Sequence, residues 1–303
     1  MSRAAVAGWL AALFSLSMSP GEAPTLRRHT TDGLPKQRPA WSPDGKLLAF
    51  ARHEDGGLHI RQYVGEVDKP GSFRRLTQRK EPEYDAAFLT DGRSLLLVVV
   101  KLSGTQGNLD LAQVGVEGGE PKAWDIDGGK LSHQEWPSPS PDGKRTAFSS
   151  THERNQEIYT ADLDGKNIKR ITQNPGTDAH PCWTPDGQAL IFATDRWGGL
   201  ELARCAPDGS SLVRLTNSRG LDDYPAVSPD GRLIAFVSNR DGQFEVYVSN
   251  LDGSAPRNLS NHPGRDTLPT WTRDGKGVTF VSARDTEADI YTISFESPKT
   301  KGQ

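Results

Sequence analysis

Short apolar runs broken by turn residues fill this chain. Residues 224–260 show the pattern most cleanly: Tyr224-Pro225-Ala226-Val227 enters Ser228-Pro229-Asp230-Gly231 and then Leu233-Ile234-Ala235-Phe236-Val237-Ser238. Phe244-Glu245-Val246-Tyr247-Val248 follows, and a second Asp252-Gly253 leads to Arg257-Asn258-Leu259-Ser260. Runs of this length bounded by Asp-Gly predict strands joined by hairpins, with both turn residues expected at positive φ. The unit recurs. Asp44, Asp91, Asp142, Asp186, Asp230 and Asp274 each precede a glycine, at intervals of 47, 51, 44, 44 and 44 residues. A four-stranded unit of that period cannot bury its apolar faces alone, so six copies predict an all-β chain folded as a six-bladed β-propeller.

The two ends of the repeat complete each other. Blade six reaches Asp289-Ile290-Tyr291-Thr292-Ile293 and then a polar tail, without a fourth strand. Leu26 to Thr30, ahead of blade one, has the Arg-rich look of a fourth strand and is expected to close the ring, removing the exposed edge. Phe50, Phe148, Phe192, Phe236 and Phe280 lie six residues after their aspartates, with Leu97 in blade two, and Trp41, Phe88, Trp183 and Trp271 lie three before. Aromatic residues at one fixed phase are expected to be inter-blade core.

Composition fits this picture and adds little chemistry. Hydrophobic residues make up 34%, and 31 glycines and 21 prolines suit short strands and tight turns. A net charge of −3 gives no footprint for nucleic acid, and no apolar run of about 18 residues would span a membrane. Arg3 followed by the apolar stretch Ala4 to Leu16 and small residues reads as a signal peptide over 1–23, placing the propeller at 24–296 and a polar tail at 297–303. The expected setting is periplasmic or secreted. Cys182 and Cys205 fall on the first and third strands of one blade, two spacings of about 4.8 Å apart, beyond bridging reach, and are expected free.

Aromatic-Ser-Pro-Asp-Gly, an Ile-Ala-Phe strand, an Ile-Tyr strand, a second Asp-Gly and Arg-Leu-Thr together resemble the TolB propeller repeat across residues 25 to 295. That resemblance implies six blades, a periplasmic or extracellular setting and a protein partner at one mouth of the channel. TolB itself carries an α/β domain before its propeller, whereas here few residues separate the apolar stretch from Thr25. The expectation is therefore of a monomeric binding propeller without that domain.

The segments entering each first strand are expected to gather at the channel mouth as loops. They read Lys36-Gln37-Arg38, Glu83-Tyr84-Asp85, His133-Gln134-Glu135, Asp178-Ala179-His180, Leu221-Asp222-Asp223-Tyr224 and Asp266-Thr267-Leu268. Such a mouth is acidic and would focus its field on a basic partner. Asp178, Asp222 and Asp266 are expected to brace their own loops. Asp85, Glu135, His180, Asp223 and Tyr224 are the candidate partner-binding residues. No cofactor is expected, and no Gly-x-Ser-x-Gly elbow, metalloprotease helix or phosphate loop occurs.

The alternative is a metal-dependent polysaccharide lyase or hydrolase. It rests on resemblance to the seven-bladed oligogalacturonate lyases, which hold a metal on channel histidines. His133 and His180 are the histidines at comparable positions, and Asp or Glu would have to complete three ligands. His29, His53, His59, His152 and His262 are expected to be solvated. Lastly, Arg196, Arg240 and Arg284 are expected to staple hairpins by pairing with Glu201, Glu245 and Asp289 across adjacent strands.

Overall fold

The computed structural model describes residues 24–294 apart from 58, 70, 104–105, 125, 127–131 and 286–287. The signal peptide expected at 1–23 and the polar tail expected at 297–303 lie outside the described residues. Six antiparallel four-stranded sheets succeed one another along the chain. Blade five runs Asp222–Val227, Leu233–Ser238, Glu245–Asn250 and Arg257–Asn258 from the channel outward, and the other blades repeat that order. Among the described residues there is no α-helix, only one 3-10 turn at Asp55–Gly57.

The ring closes as expected. Leu26–Arg28 pairs with Asp289–Ser294, with Leu26 opposite Ile293 and Arg28 opposite Tyr291. Closure is reinforced at the adjoining joint. Lys36 heads the innermost strand of blade one and donates to Asp289 Oδ1 at 2.9 Å, neither side chain being exposed. Thr30 Oγ1 donates to the same oxygen at 2.6 Å, and Arg28 holds the other oxygen at 2.5 Å.

The core lies between blades. Phe50, Phe148, Phe192, Phe236, Phe280 and Leu97 are each at most 2% exposed, each worth roughly 1.5–3 kcal/mol of burial. In four blades this phenylalanine faces a tyrosine on the third strand, as Phe236 faces Tyr247. Trp183 and Trp271 send Nε1–H to the backbone of the preceding blade, at Ser138 O (3.0 Å) and Ala226 O (2.9 Å). Cys182 and Cys205 are free, and burial pushes both thiols up to about 12.

Two local expectations are corrected. In the Asp-Gly turns only the glycine is left-handed, at φ of 65–72° in all six. Gly45 donates back to Ser42 O at 2.9 Å, while Ser42 Oγ donates to Asp44 at 2.6 Å. Proline at the second turn position fixes negative φ in four blades, and Thr90 and Arg273 take the same turn in the other two, so each turn bends on Gly alone. The hairpin staples are also different. Arg196, Arg240 and Arg284 bind Asp178, Asp222 and Asp266 at 2.5–3.0 Å, reaching inward to the first strand. Glu201 instead takes Arg214 of the fourth strand at 3.0 Å and the hydroxyl of Thr216, just beyond that strand, at 2.6 Å. Asp178, Asp222 and Asp266 are thus braces for the blade, held by arginines rather than by their own loops alone.

Candidate functional site

The six segments expected as mouth loops are the opening residues of the innermost strands: Lys36–Trp41, Glu83–Phe88, Gln134–Pro139, Asp178–Trp183, Asp222–Val227 and Asp266–Trp271. Each strand carries a bulge against its neighbour at the same place. The third residue of each is left-handed: Arg38, Asp85, Trp136, His180, Tyr224 and Leu268, with φ between 40° and 58°. A bulge re-aims a side chain, and repeating it in every blade produces a ring of six side chains.

Around this ring the side chains meet. The Arg38 guanidinium stands 3.9 Å over the Trp136 ring, linking blade one to blade three. It donates to Asp85 O at 2.9 Å and to Pro137 O at 2.7 Å. His180 stacks on Tyr224 with ring centres 4.1 Å apart, and Trp136 packs against both at 4.8 and 5.1 Å. Two cavities therefore lie along the axis, with Trp136 and Leu268 bordering both. The cavity on the mouth side holds about 570 Å³, and the one on the turn side about 490 Å³.

Four of the five candidate residues, Asp85, Glu135, His180 and Tyr224, line the mouth cavity. Asp223 is joined to them through His180, whose Nδ1 lies 2.6 Å from its Oδ1. That contact fixes the imidazole. Burial raises the Asp85 carboxyl above its ordinary range, with Arg38 opposing. Burial raises Glu135 too, and the Asp85 charge adds to it. Burial and the nearby acids likewise push the Tyr84 and Tyr224 hydroxyls up. Besides Lys36 of blade one, which was expected there, the acidic mouth also carries Arg265.

The histidines divide differently from expectation. His133 is exposed and lies outside the cavity lining, so it does not converge with His180. His53 lines the mouth, bonded to Gln37 at 2.7 Å, and burial lowers its pKa. His29 packs against Trp41 in the closing seam, where burial lowers it to about 4. Among the described residues no three His, Cys, Asp or Glu side chains gather as a metal would require. Trp136 and Arg38 were missed as site residues. Their phase, two places after the buried first residue of the strand, is the signal that finds them.

Residues 128–220 match the TolB beta propeller domain, and residues 201–302 match the Tricorn protease N-terminal beta propeller domain. The chain is a TolB-like six-bladed propeller. It superposes on a protein assigned as TolB from Agrobacterium tumefaciens with TM-score 0.67 and 22% identity, over 86% of this chain and 91% of that one. TolB from Acinetobacter baumannii gives 0.68 and 23%, over 79% of this chain but 57% of that one, so the propeller spans little more than half of that protein. An oligogalacturonate lyase from Vibrio parahaemolyticus gives 0.60 and 16%, over 90% and 94%. At these identities the likeness is one of fold. No curated protein matches the chain.

Proposed function

We propose that this TolB-like propeller is an exported, monomeric binding protein that takes a basic protein partner at the mouth of its channel. Asp85, Glu135, His180, Asp223 and Tyr224 make the contact, with Trp136 as an aromatic wall. One observation carries the reading: six left-handed positions form the ring, and none is glycine. Left-handed backbone costs an ordinary residue on the order of 1–2 kcal/mol, so retaining side chains there points to a use for them.

The electrostatics suggest what they are used for. Asp85 and Glu135 share one small cavity, and both are held above their ordinary protonation range. A lysine or arginine entering would relieve that repulsion and lie against aromatic faces. Export rests on the apolar N-terminal segment that follows Arg3.

Immobilised protein exposed to envelope extract of the source organism tests this. The expected result is one saturable protein, released by salt, retained by the parent and lost with Glu135→Gln combined with Asp223→Asn. Equal retention by the double variant, or no retained protein, would overturn the reading. Export is checked by fractionating cells that express the full chain.

A further inference from the structure

The cavity on the turn side has a different chemistry. Its walls are two tiers of proline, Pro137, Pro181 and Pro225 beside the ring and Pro141, Pro185 and Pro229 at the turns. The tryptophans behind them have already committed their Nε1–H groups, Trp41 to Thr279 at 2.9 Å and the other two to backbone oxygens. Among the described residues no carboxylate lines this cavity, and the two charged residues are Arg38 at the floor and Arg273 at the rim.

Arg38 is the unusual member. Its side chain is 11% exposed, and it lines this cavity rather than the mouth. Of the five N–H groups a guanidinium offers, two are matched, both by neutral backbone oxygens. The nearest carboxylate oxygen, Asp85 Oδ2, stands 3.9 Å away. Burial holds the group down to about 10. The cation is thus partly desolvated, fixed flat by Trp136, and only loosely compensated in charge.

We propose that this cavity binds the carboxylate of an apolar or aromatic molecule, the carboxylate meeting Arg38 and the body packing on the proline walls. Arginine suits this role because its fork accepts a carboxylate bidentately. About 490 Å³ is within the range of small-molecule sites and admits an aromatic amino acid or a short peptide end. The same chemistry is offered by a free carboxylic acid and by the C-terminus of a polypeptide.

Calorimetry on the intact protein decides, using N-acetyl-phenylalanine and acetyl-Gly-Pro-Phe, each as the free acid and as the amide. The acids bind, and the amides bind at least about tenfold more weakly, the loss expected when a charged hydrogen-bond partner is removed. A tripeptide acid that binds tighter than the single residue identifies a polypeptide C-terminus, and the reverse order a free acid. Arg38→Lys keeps the charge but loses the fork, and should weaken both acids. Arg273→Gln, at an exposed rim position, should weaken them less without changing the melting temperature. Glu135→Gln should leave acid binding intact, which separates this site from the mouth. Acids and amides that bind alike, no binding at millimolar concentration, or loss of acid binding in Glu135→Gln overturns the proposal.

Discussion

The innermost strands have two ends that solve the same backbone problem in opposite ways. At the turn end the chain needs one left-handed residue per blade, and all six are glycine: Gly45, Gly92, Gly143, Gly187, Gly231 and Gly275. At the mouth end it again needs one per blade, and the six are Arg, Asp, Trp, His, Tyr and Leu. Glycine relieves the strain wherever only the backbone matters. Its absence from the mouth, together with six different side chains on one repeated conformation, separates a position that shapes the fold from one that displays chemistry. The two cavities follow the same division. One is lined by acids, histidines and tyrosines, the other by repeated prolines with Arg38 at the floor.

The comparison assumes six equivalent blades in a closed ring, so the largest expected effect comes from breaking the seam. Lys36 stands where the five other blades carry a buried acid or amide bound locally, and it answers Asp289 with no exposure on either side. Lys36→Met should cost about 3–5 kcal/mol, the range for leaving one member of a buried pair uncompensated. Urea unfolding measures this. A loss below about 1 kcal/mol would mean that Arg28 and Thr30 suffice for Asp289, and that the seam is held by strand pairing alone.

At the turn end, Gly143→Ala places a Cβ 2.4 Å from Thr90 Oγ1 of the neighbouring blade's turn and keeps φ near 68°. The expected cost is about 1–2 kcal/mol for the left-handed conformation, more if Thr90 cannot shift. An unchanged melting curve would remove the contrast from that side.

Most of this architecture was legible in the sequence, because the repeat exposes it six times over. Turn glycines, core phenylalanines and the displaced closing strand all keep phase, so each blade checks the others. The pairing of Arg196, Arg240 and Arg284 was misread. Sequence distance favours the adjacent hairpin partner, whereas the buried first-strand acids sit closer in space. The mouth was legible only in part. Asp85, Glu135 and His180 stand out by charge, but positive φ at a non-glycine residue leaves no mark in composition, so nothing in the sequence singles out Trp136, or sets Arg38 apart from the rest of its mouth segment.

Leu268 tests the strain at the mouth end, since its side chain is apolar and only partly buried. In an ordinary strand, glycine is less stable than alanine by roughly 0.5–1 kcal/mol. Here φ is 56°, so the order should invert, with Leu268→Gly more stable than Leu268→Ala by about 1 kcal/mol. Thermal unfolding of the two variants side by side gives the answer. Alanine proving the better residue would show that the ring conformation carries no strain.

The smallest effect is the most specific. A carboxyl whose pKa is raised on folding binds its proton more tightly in the folded state, so its stability contribution falls as pH rises through the folded value. Glu135 is such a group, raised above 4.5 by burial and then by Asp85. Wild type should therefore lose stability on going from about pH 4 to 7 relative to Glu135→Gln, which has no such proton to lose. Because Glu135 retains contact with solvent at the mouth, the difference at pH 7 should be under about 1 kcal/mol in favour of the variant, vanishing at pH 4. The same variant should bind the basic partner less well. A residue that weakens the fold at neutral pH while strengthening a contact belongs to the displayed side of the comparison. Melting temperatures of the pair at pH 4 and pH 7 test it, and a variant no more stable than wild type at pH 7 would assign Glu135 to the scaffold instead.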